Sequence, residues 1–140
     1  KDAGNLGTII RSAVAFSIDG IILFNDCVDL YNPKTVQSTM GSIFRTKTTY
    51  VDLKSYFESL PKSTPIYGSI VEGGESIYEK SFQKDSILVI GSESHGISQE
   101  IRKYINQNIT IPRFRTDNKP ESLNASIATA IIISEILKTK

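Results

Sequence analysis

The chain has 140 residues, 16 Lys and Arg against 15 Asp and Glu, and a formal net charge of +1 at pH 7. That length supports one domain with its own core, and so balanced a charge means that any grip on nucleic acid must come from local basic patches. One cysteine, Cys27, and one histidine, His95, exclude an internal disulfide and fall short of the ligands of a usual zinc site. No stretch reaches the roughly 18 continuous apolar residues of a membrane span. The composition therefore predicts a cytoplasmic protein in a reducing compartment, with no metal and no membrane partner. The chain opens at Lys1 without a methionine, so residues 1–140 are expected to be part of a longer protein, and no signal or transit peptide is visible.

Apolar spacing alternates along the chain between helical and strand-like periods. It predicts helices over 6–16, 35–44 and 53–60, with extended segments over 20–24 and 48–51 between them. The second half predicts a strand over 66–71, a weak helix over 76–82, a fully buried strand over 87–90, a helix over 99–105, a strand over 109–111 and a last helix over 123–137. Such alternation implies an α/β fold with a largely parallel sheet covered by helices on both faces.

Three segments carry candidate chemistry. The first is Asp2-Ala3-Gly4-Asn5-Leu6-Gly7-Thr8-Ile9-Ile10-Arg11-Ser12-Ala13. Asn5 reads as a helix N-cap, Gly4 and Gly7 permit an unusual turn, and Ile9, Ile10, Ala13 and Val14 make an apolar face. Thr8, Arg11 and Ser12 line the other side, and by spacing alone this is a capped amphipathic helix with a solvated arginine. The second segment is Leu88-Val89-Ile90-Gly91-Ser92-Glu93-Ser94-His95-Gly96. It places a glycine loop at the carboxyl end of a buried strand, where ligands of α/β sheets bind and where glycine lets backbone groups approach a bound group. The plainer reading is a strand-to-helix connection, with Ser98 as N-cap and Glu100 in the first turn. The loop also approaches the G-x-S-x-G elbow of hydrolases, but the first glycine is missing and His95, adjacent to Ser94, is poorly placed to accept its proton.

The third segment begins at Ile111-Pro112, crosses a long polar loop, and enters an apolar helix through Glu121-Ser122-Leu123-Asn124-Ala125-Ser126. Near-continuous apolarity predicts a buried helix, and Ser122 is a fair N-cap. Arg113, Arg115 and Lys119 make the loop basic, and Phe114 offers a stacking face to a base, with a solvated charged loop as the alternative. Arg45 and Lys47 are candidates for phosphate contact or for surface salt bridges. Residues 41–48 are not a P-loop, because the second glycine is absent. Cys27 reads as a packed small hydrophobe.

Together, in this order, the three segments resemble motifs 1, 2 and 3 of the SpoU-type (TrmH-like) RNA 2′-O-ribose methyltransferases of the SPOUT superfamily. Tyr31-Asn32-Pro33-Lys34 and Ser38-Thr39-Met40-Gly41-Ser42-Ile43-Phe44-Arg45 are similar to the same family. The resemblance implies a C-terminal trefoil knot, S-adenosylmethionine as cofactor, tRNA or rRNA as substrate, and a homodimer with its pocket near the subunit interface. It further implies that the chain lacks the family's first strand and any N-terminal RNA-binding domain. By correspondence, Arg11, Asn5, Glu93, Ser122 and Asn124 are the expected catalytic residues. Gly91, Ile111 and Leu123, with Ile90, Ser92 and Gly96, are the expected cofactor contacts. Arg11, Arg45, Arg113 and Arg115 are the expected RNA contacts. A guanidinium stays protonated in proteins, so the role expected of Arg11 is to position the hydroxyl and a neighbouring phosphate rather than to act as a base. Arg113 stands where the family often has methionine, Ser92 where it often has asparagine, and the loop over 114–120 is longer than usual. A catalytically silent RNA-binding module of the same fold is the alternative reading.

Overall fold

The computed structural model describes residues 3–24, 31–41, 45, 47–114, 117 and 122–138. The chain forms two compact units, Lys1–Ser59 and Leu60–Lys140.

In the first unit the order is α1 (Ala3–Ala15), β1 (Ile21–Leu23), α2 (Pro33–Thr39), β2 (Thr48–Tyr50) and α3 (Leu53–Ser59). Strands β1 and β2 pair in parallel, Ile21 opposite Thr48 and Leu23 opposite Tyr50. The apolar face of α1 buries Ile10 and Ala13 completely or nearly so, and Leu6, Ile21 and Val36 pack around Ile10. Helix α1 begins earlier than expected, so Asn5 is an interior helical residue rather than the N-cap. Gly4 and Gly7 are ordinary helical residues, since neither has a positive φ. The reason for Gly7 is a close approach: a Cβ there would lie 2.3 Å from Ser38 Cβ and 2.5 Å from the Thr35 carbonyl oxygen. Helix α2 also departs from its expected bounds. Asn32 caps it by accepting a hydrogen bond from Lys34 N at 2.9 Å, Pro33 supplies the first turn, and Met40 ends it in a left-handed conformation at φ 52°. Residues 42–44 and Cys27 lie outside the described residues.

The second unit runs β3 (Ile66–Ser69), β4 (Glu75–Ser76), β5 (Ile87–Val89), α4 (Gln99–Arg102), β6 (Gln107–Thr110) and α5 (Ala125–Lys138). Its sheet has the order β4-β6-β3-β5, and every pairing is parallel. One face carries Tyr67, Ile109, Leu88, Ile90 and Ile111 into a core with Phe82, Ile77 and the α5 residues Ile132 and Ile136. The alternation of side chains along a strand turns Gly68 to the opposite face, where the Ile105 side chain lies against it. The buried Tyr67 satisfies its hydroxyl by accepting from Gln83 N at 3.0 Å, and its ring meets Phe82 edge to face at a centroid distance of 5.0 Å.

The weak helix expected over 76–82 is not formed. Glu75 and Ser76 pair with Ile109 and Thr110 instead, and Ile77 N donates to Thr110 O at 3.1 Å. A parallel partner strand competes successfully for a segment of so little helical propensity. Among the described residues no helix is long and apolar enough to cross a membrane, and no group of three or more His, Cys, Asp or Glu could hold a metal ion.

Candidate functional site at the carboxyl ends of the parallel strands

Because β3, β5 and β6 run the same way, the segments that leave them, over 70–74, 90–97 and 111–114, emerge on one side of the sheet. That is the ligand-binding side of a parallel α/β sheet. Two of these segments hold residues expected from the sequence. The third, 70–74, holds none of them, and the Gly73-Gly74 pair a few residues after β3 is its sequence signal.

The loop after β5 closes on itself. Ser92 N donates to Gly96 O at 3.2 Å and Gly96 N to Ser92 O at 2.9 Å, while Gly96 takes a left-handed φ of 66°. Gly91 sits against the far side of this ring, where a Cβ would lie 2.3 Å from Gly96 C, 2.5 Å from Ile97 N and 2.6 Å from Gly96 O. Gly91 is thus required by the loop's own closure, before any ligand is considered. The amides of Ser92 and Gly96 are engaged inside the ring, so the backbone of these two residues can offer a ligand only the remaining lone pairs of its carbonyls. His95 N donates to Ser92 Oγ at 3.1 Å, which fixes the tip of the loop.

Glu93 is exposed at that tip and crosses to the third segment, accepting a hydrogen bond from Ala125 N at 3.0 Å. Ala125 opens α5, whose first amides have no partner within the helix and favour negative charge. Asn124 accepts from Ser126 N at 2.9 Å and Ile127 N at 3.3 Å, and also from the Ser126 hydroxyl. Asn124 O takes the first helical bond, from Ala128 N at 2.9 Å. Asn124, not Ser122, is therefore the N-cap, and α5 starts two residues later than the apolar pattern predicts. Ser122 is exposed beside it. The structure thus joins Glu93, Ala125 and Asn124 in one hydrogen-bonded corner, with Leu123 48% exposed at its edge. Helix α5 is not buried all round, since Ile127 is also half-exposed.

Ile90 and Ile111 lean on the core from the ends of β5 and β6, the two strands that flank β3. Arg113 follows them, but its side chain is three-quarters covered and pairs with Glu72 at 3.5 Å. Phe114 is 87% exposed, while Arg115 and Lys119 lie outside the described residues. In the first unit Asn5 is half-buried, and Arg11 and Arg45 are exposed. Thr8 Oγ1, on the stripe with Arg11, donates to Gly4 O at 2.9 Å.

The hydrolase reading gains one feature and lacks the rest. Ser94 Oγ and His95 Nδ1 lie 2.7 Å apart, so adjacency does not keep the two apart as expected. Both are exposed, and no carboxylate orients the other ring nitrogen among the described residues, so the constellation of a nucleophile elbow is not assembled.

A parallel α/β sheet with the loop after β5 stitched to the start of a long apolar helix defines a ligand-binding α/β domain. Residues 1–134 match the family model of the SpoU rRNA Methylase family, and the chain belongs to that family. It is 31% identical over 134 residues to the 23S rRNA (guanosine(2553)-2'-O)-methyltransferase RlmP of Bacillus subtilis, covering 95% of this chain and 53% of that protein. The structure superimposes on the AdoMet-bound rRNA methyltransferase from Sinorhizobium meliloti with a TM-score of 0.87 at 28% identity, over 98% of this chain and 52% of that one. For the SpoU methyltransferase AviRb from Streptomyces viridochromogenes in complex with AdoMet, the TM-score is 0.85 at 28% identity, over 99% of this chain and 56% of that one. The chain spans about half the length of the curated relatives it matches.

Proposed function

We propose that the chain transfers the methyl group of S-adenosylmethionine to a ribose 2′-hydroxyl of ribosomal or transfer RNA. The observation that carries this reading is the hydrogen bond from Ala125 N to Glu93, which ties two of the three sequence motifs into one corner beside the parallel strand ends. Membership of the SpoU family and likeness to two AdoMet-bound structures support it independently. The residues present suit such a cofactor: Ile90 and Ile111 give apolar walls, Leu123 offers a half-exposed side chain, and the loop containing Gly91, Ser92 and Gly96 presents backbone close by. When bound, the cofactor supplies an electrophilic methyl on a sulfonium.

What remains for the chain is binding and orientation. Arg11 is assigned to hold the 2′-hydroxyl and an adjacent phosphate through its planar fork, the proton leaving to water or a phosphate oxygen. Glu93 and Asn124 act by fixing the start of α5, and Asn5 and Ser122 complete the polar set. Exposed Arg45, with Arg115, is assigned to RNA phosphate. Arg113 is a weaker candidate, because its guanidinium is already paired with Glu72. The half-exposed apolar pair of Leu123, just ahead of α5, and Ile127, in its first turn, supports a homodimer. The family's knot, a cytoplasmic setting and an RNA-selecting domain outside these residues belong to the same proposal.

Calorimetry with S-adenosylmethionine and methyl transfer into RNA test it. Binding is expected, with loss on Leu123→Asp. Arg11→Ala should lower transfer at least about a hundredfold with cofactor affinity retained, and Arg11→Lys should not restore it, because an ammonium cannot reproduce the fork. No heat with the cofactor at millimolar concentration, in folded protein, would refute the reading.

A further inference from the structure

Arg102 belongs to none of the three sequence motifs, yet it reaches the end of the second. Its Nε donates to the carbonyl oxygen of Ile97 at 3.0 Å, in a partly buried setting. Ile97 itself is 5% exposed, so a carbonyl left there without its donor would lose a partner that water replaces poorly. A terminal nitrogen of the same guanidinium lies 4.0 Å from where a Cβ on Gly96 would stand. The arginine therefore holds the chain just after Gly96, while Gly91 packs against the preceding Gly96–Ile97 peptide. The ring is also fastened by the two bonds between Ser92 and Gly96, by His95 N on Ser92 Oγ, and by Ala125 N on Glu93.

The base of this brace is also fixed. Arg102 ends the short helix α4, where Arg102 N donates to Ser98 O at 3.0 Å and Ile101 N to the same oxygen at 3.1 Å. Ile101 anchors that turn by burial. Ser98 occupies the N-cap position without a side-chain capping bond, so the turn is held by backbone bonds and by Ile101. The guanidinium thus works from a fixed platform on a loop whose shape depends on few bonds.

We propose that Arg102 is a positioning residue for the cofactor: it holds the Ile97 carbonyl where the chain leaves the loop, keeps the 91–97 ring closed, and thereby sets the affinity for S-adenosylmethionine without touching the RNA. The proposal rests on the reading of this loop as a cofactor-binding segment. One donor is enough for one carbonyl, so lysine should substitute for arginine at this position, in contrast to the fork demanded of Arg11.

The experiment compares wild type, Arg102→Ala and Arg102→Lys in three measurements. Amide hydrogen exchange over 91–97, without ligand, reports ring closure and needs no cofactor. Exchange is expected to accelerate in Arg102→Ala and to return toward wild type in Arg102→Lys. Calorimetry should show S-adenosylmethionine affinity falling about tenfold in Arg102→Ala, the scale of one hydrogen bond from a charged donor, with recovery in Arg102→Lys. Steady-state kinetics should show KM for the cofactor rising in parallel, with kcat within about twofold and KM for RNA unchanged. Unchanged exchange in Arg102→Ala would overturn the clamp. A rise in KM for RNA with cofactor affinity intact would overturn it too, making Arg102 a phosphate contact. Wild-type protein that binds no cofactor, while Arg102→Ala still loosens the ring, would refute the cofactor role and the proposed function together and leave only the loop contact.

Discussion

Gly91→Ala separates a loop closed by its own packing from one that merely contains a glycine. Gly91 has no positive φ, so alanine brings no backbone strain and the perturbation is steric. The new methyl would lie 2.3 Å from Gly96 C, 2.5 Å from Ile97 N and 2.6 Å from Gly96 O. All three are backbone atoms, so no side chain can swing away. Restoring ordinary contact separates the two sides of the ring by about 1 Å, enough on the packing scale to force backbone rearrangement. That displacement carries the Ser92–Gly96 pair, with bonds of 3.2 and 2.9 Å, beyond hydrogen-bonding range. Two net bonds at about 1 kcal/mol each give a loss of about 2 kcal/mol, a fall in Tm of about 5–10 °C for a protein of this size. Cofactor affinity should fall at least about tenfold, because the binding backbone no longer holds one shape. Gly96→Asn is the matched control: φ is 66° there, which asparagine tolerates, and a Cβ meets only Arg102 at 4.0 Å. Thermal unfolding and calorimetry on both variants make the assay. A Gly91→Ala protein with wild-type Tm and affinity, or a Gly96→Asn protein damaged as severely, would refute the reasoning.

Glu93→Gln keeps an oxygen to accept from Ala125 N and loses only the charge at the start of α5, an effect of less than about 1 kcal/mol, so methyl transfer should fall far less than in Glu93→Ala; equal losses in a transfer assay would give the charge the larger role. Gly7→Ala should lower Tm by roughly 3–8 °C, although alanine is normally better in a helix by about 1 kcal/mol, because its methyl would overlap Ser38 Cβ at 2.3 Å and the Thr35 carbonyl at 2.5 Å; a raised Tm would show that the two helices part freely. Asp52 accepts from the Ser55 hydroxyl at 2.6 Å and from Ser55 N at 3.2 Å, and these bonds hold its carboxyl below its ordinary pKa. The folded state thus releases that proton more readily than the unfolded one, so the Asp52–Ser55 bonds stabilise above the ordinary carboxylate range and their contribution disappears as pH falls through the lowered value. Urea midpoints measured between neutral and acid pH should converge for wild type and Asp52→Asn at the acid end; a gap that widens there would reverse the assignment.

Much of this protein was legible before its structure. Period-2 and period-3.6 apolar spacing is a local property, so the strands around Leu88 and Ile109 and the helices around Ile10 and Ile132 follow from the chain itself, and the motif residues identify the family through their order. Boundaries were less legible, because caps compete. Asn124 displaced Ser122, and Asn32-Pro33 opened α2 two residues ahead of its expected start, once backbone amides came within reach of their side-chain oxygens. The weak helix over 76–82 failed for a nonlocal reason: β6, more than thirty residues on, supplied a hydrogen-bonding edge that no local pattern can announce. The same holds for the functional corner. Composition and spacing marked Glu93 and Asn124 as polar residues near strand and helix ends, but only the parallel alignment of β3, β5 and β6 brings a carboxylate from one loop onto the first amide of α5. The fold-back of the loop, in turn, makes Gly91 a packing requirement and sets Arg102 against the Ile97 carbonyl. Contacts of this kind depend on atoms meeting within about 3 Å after the core has packed, and a linear sequence records which groups are available without recording which of them will meet.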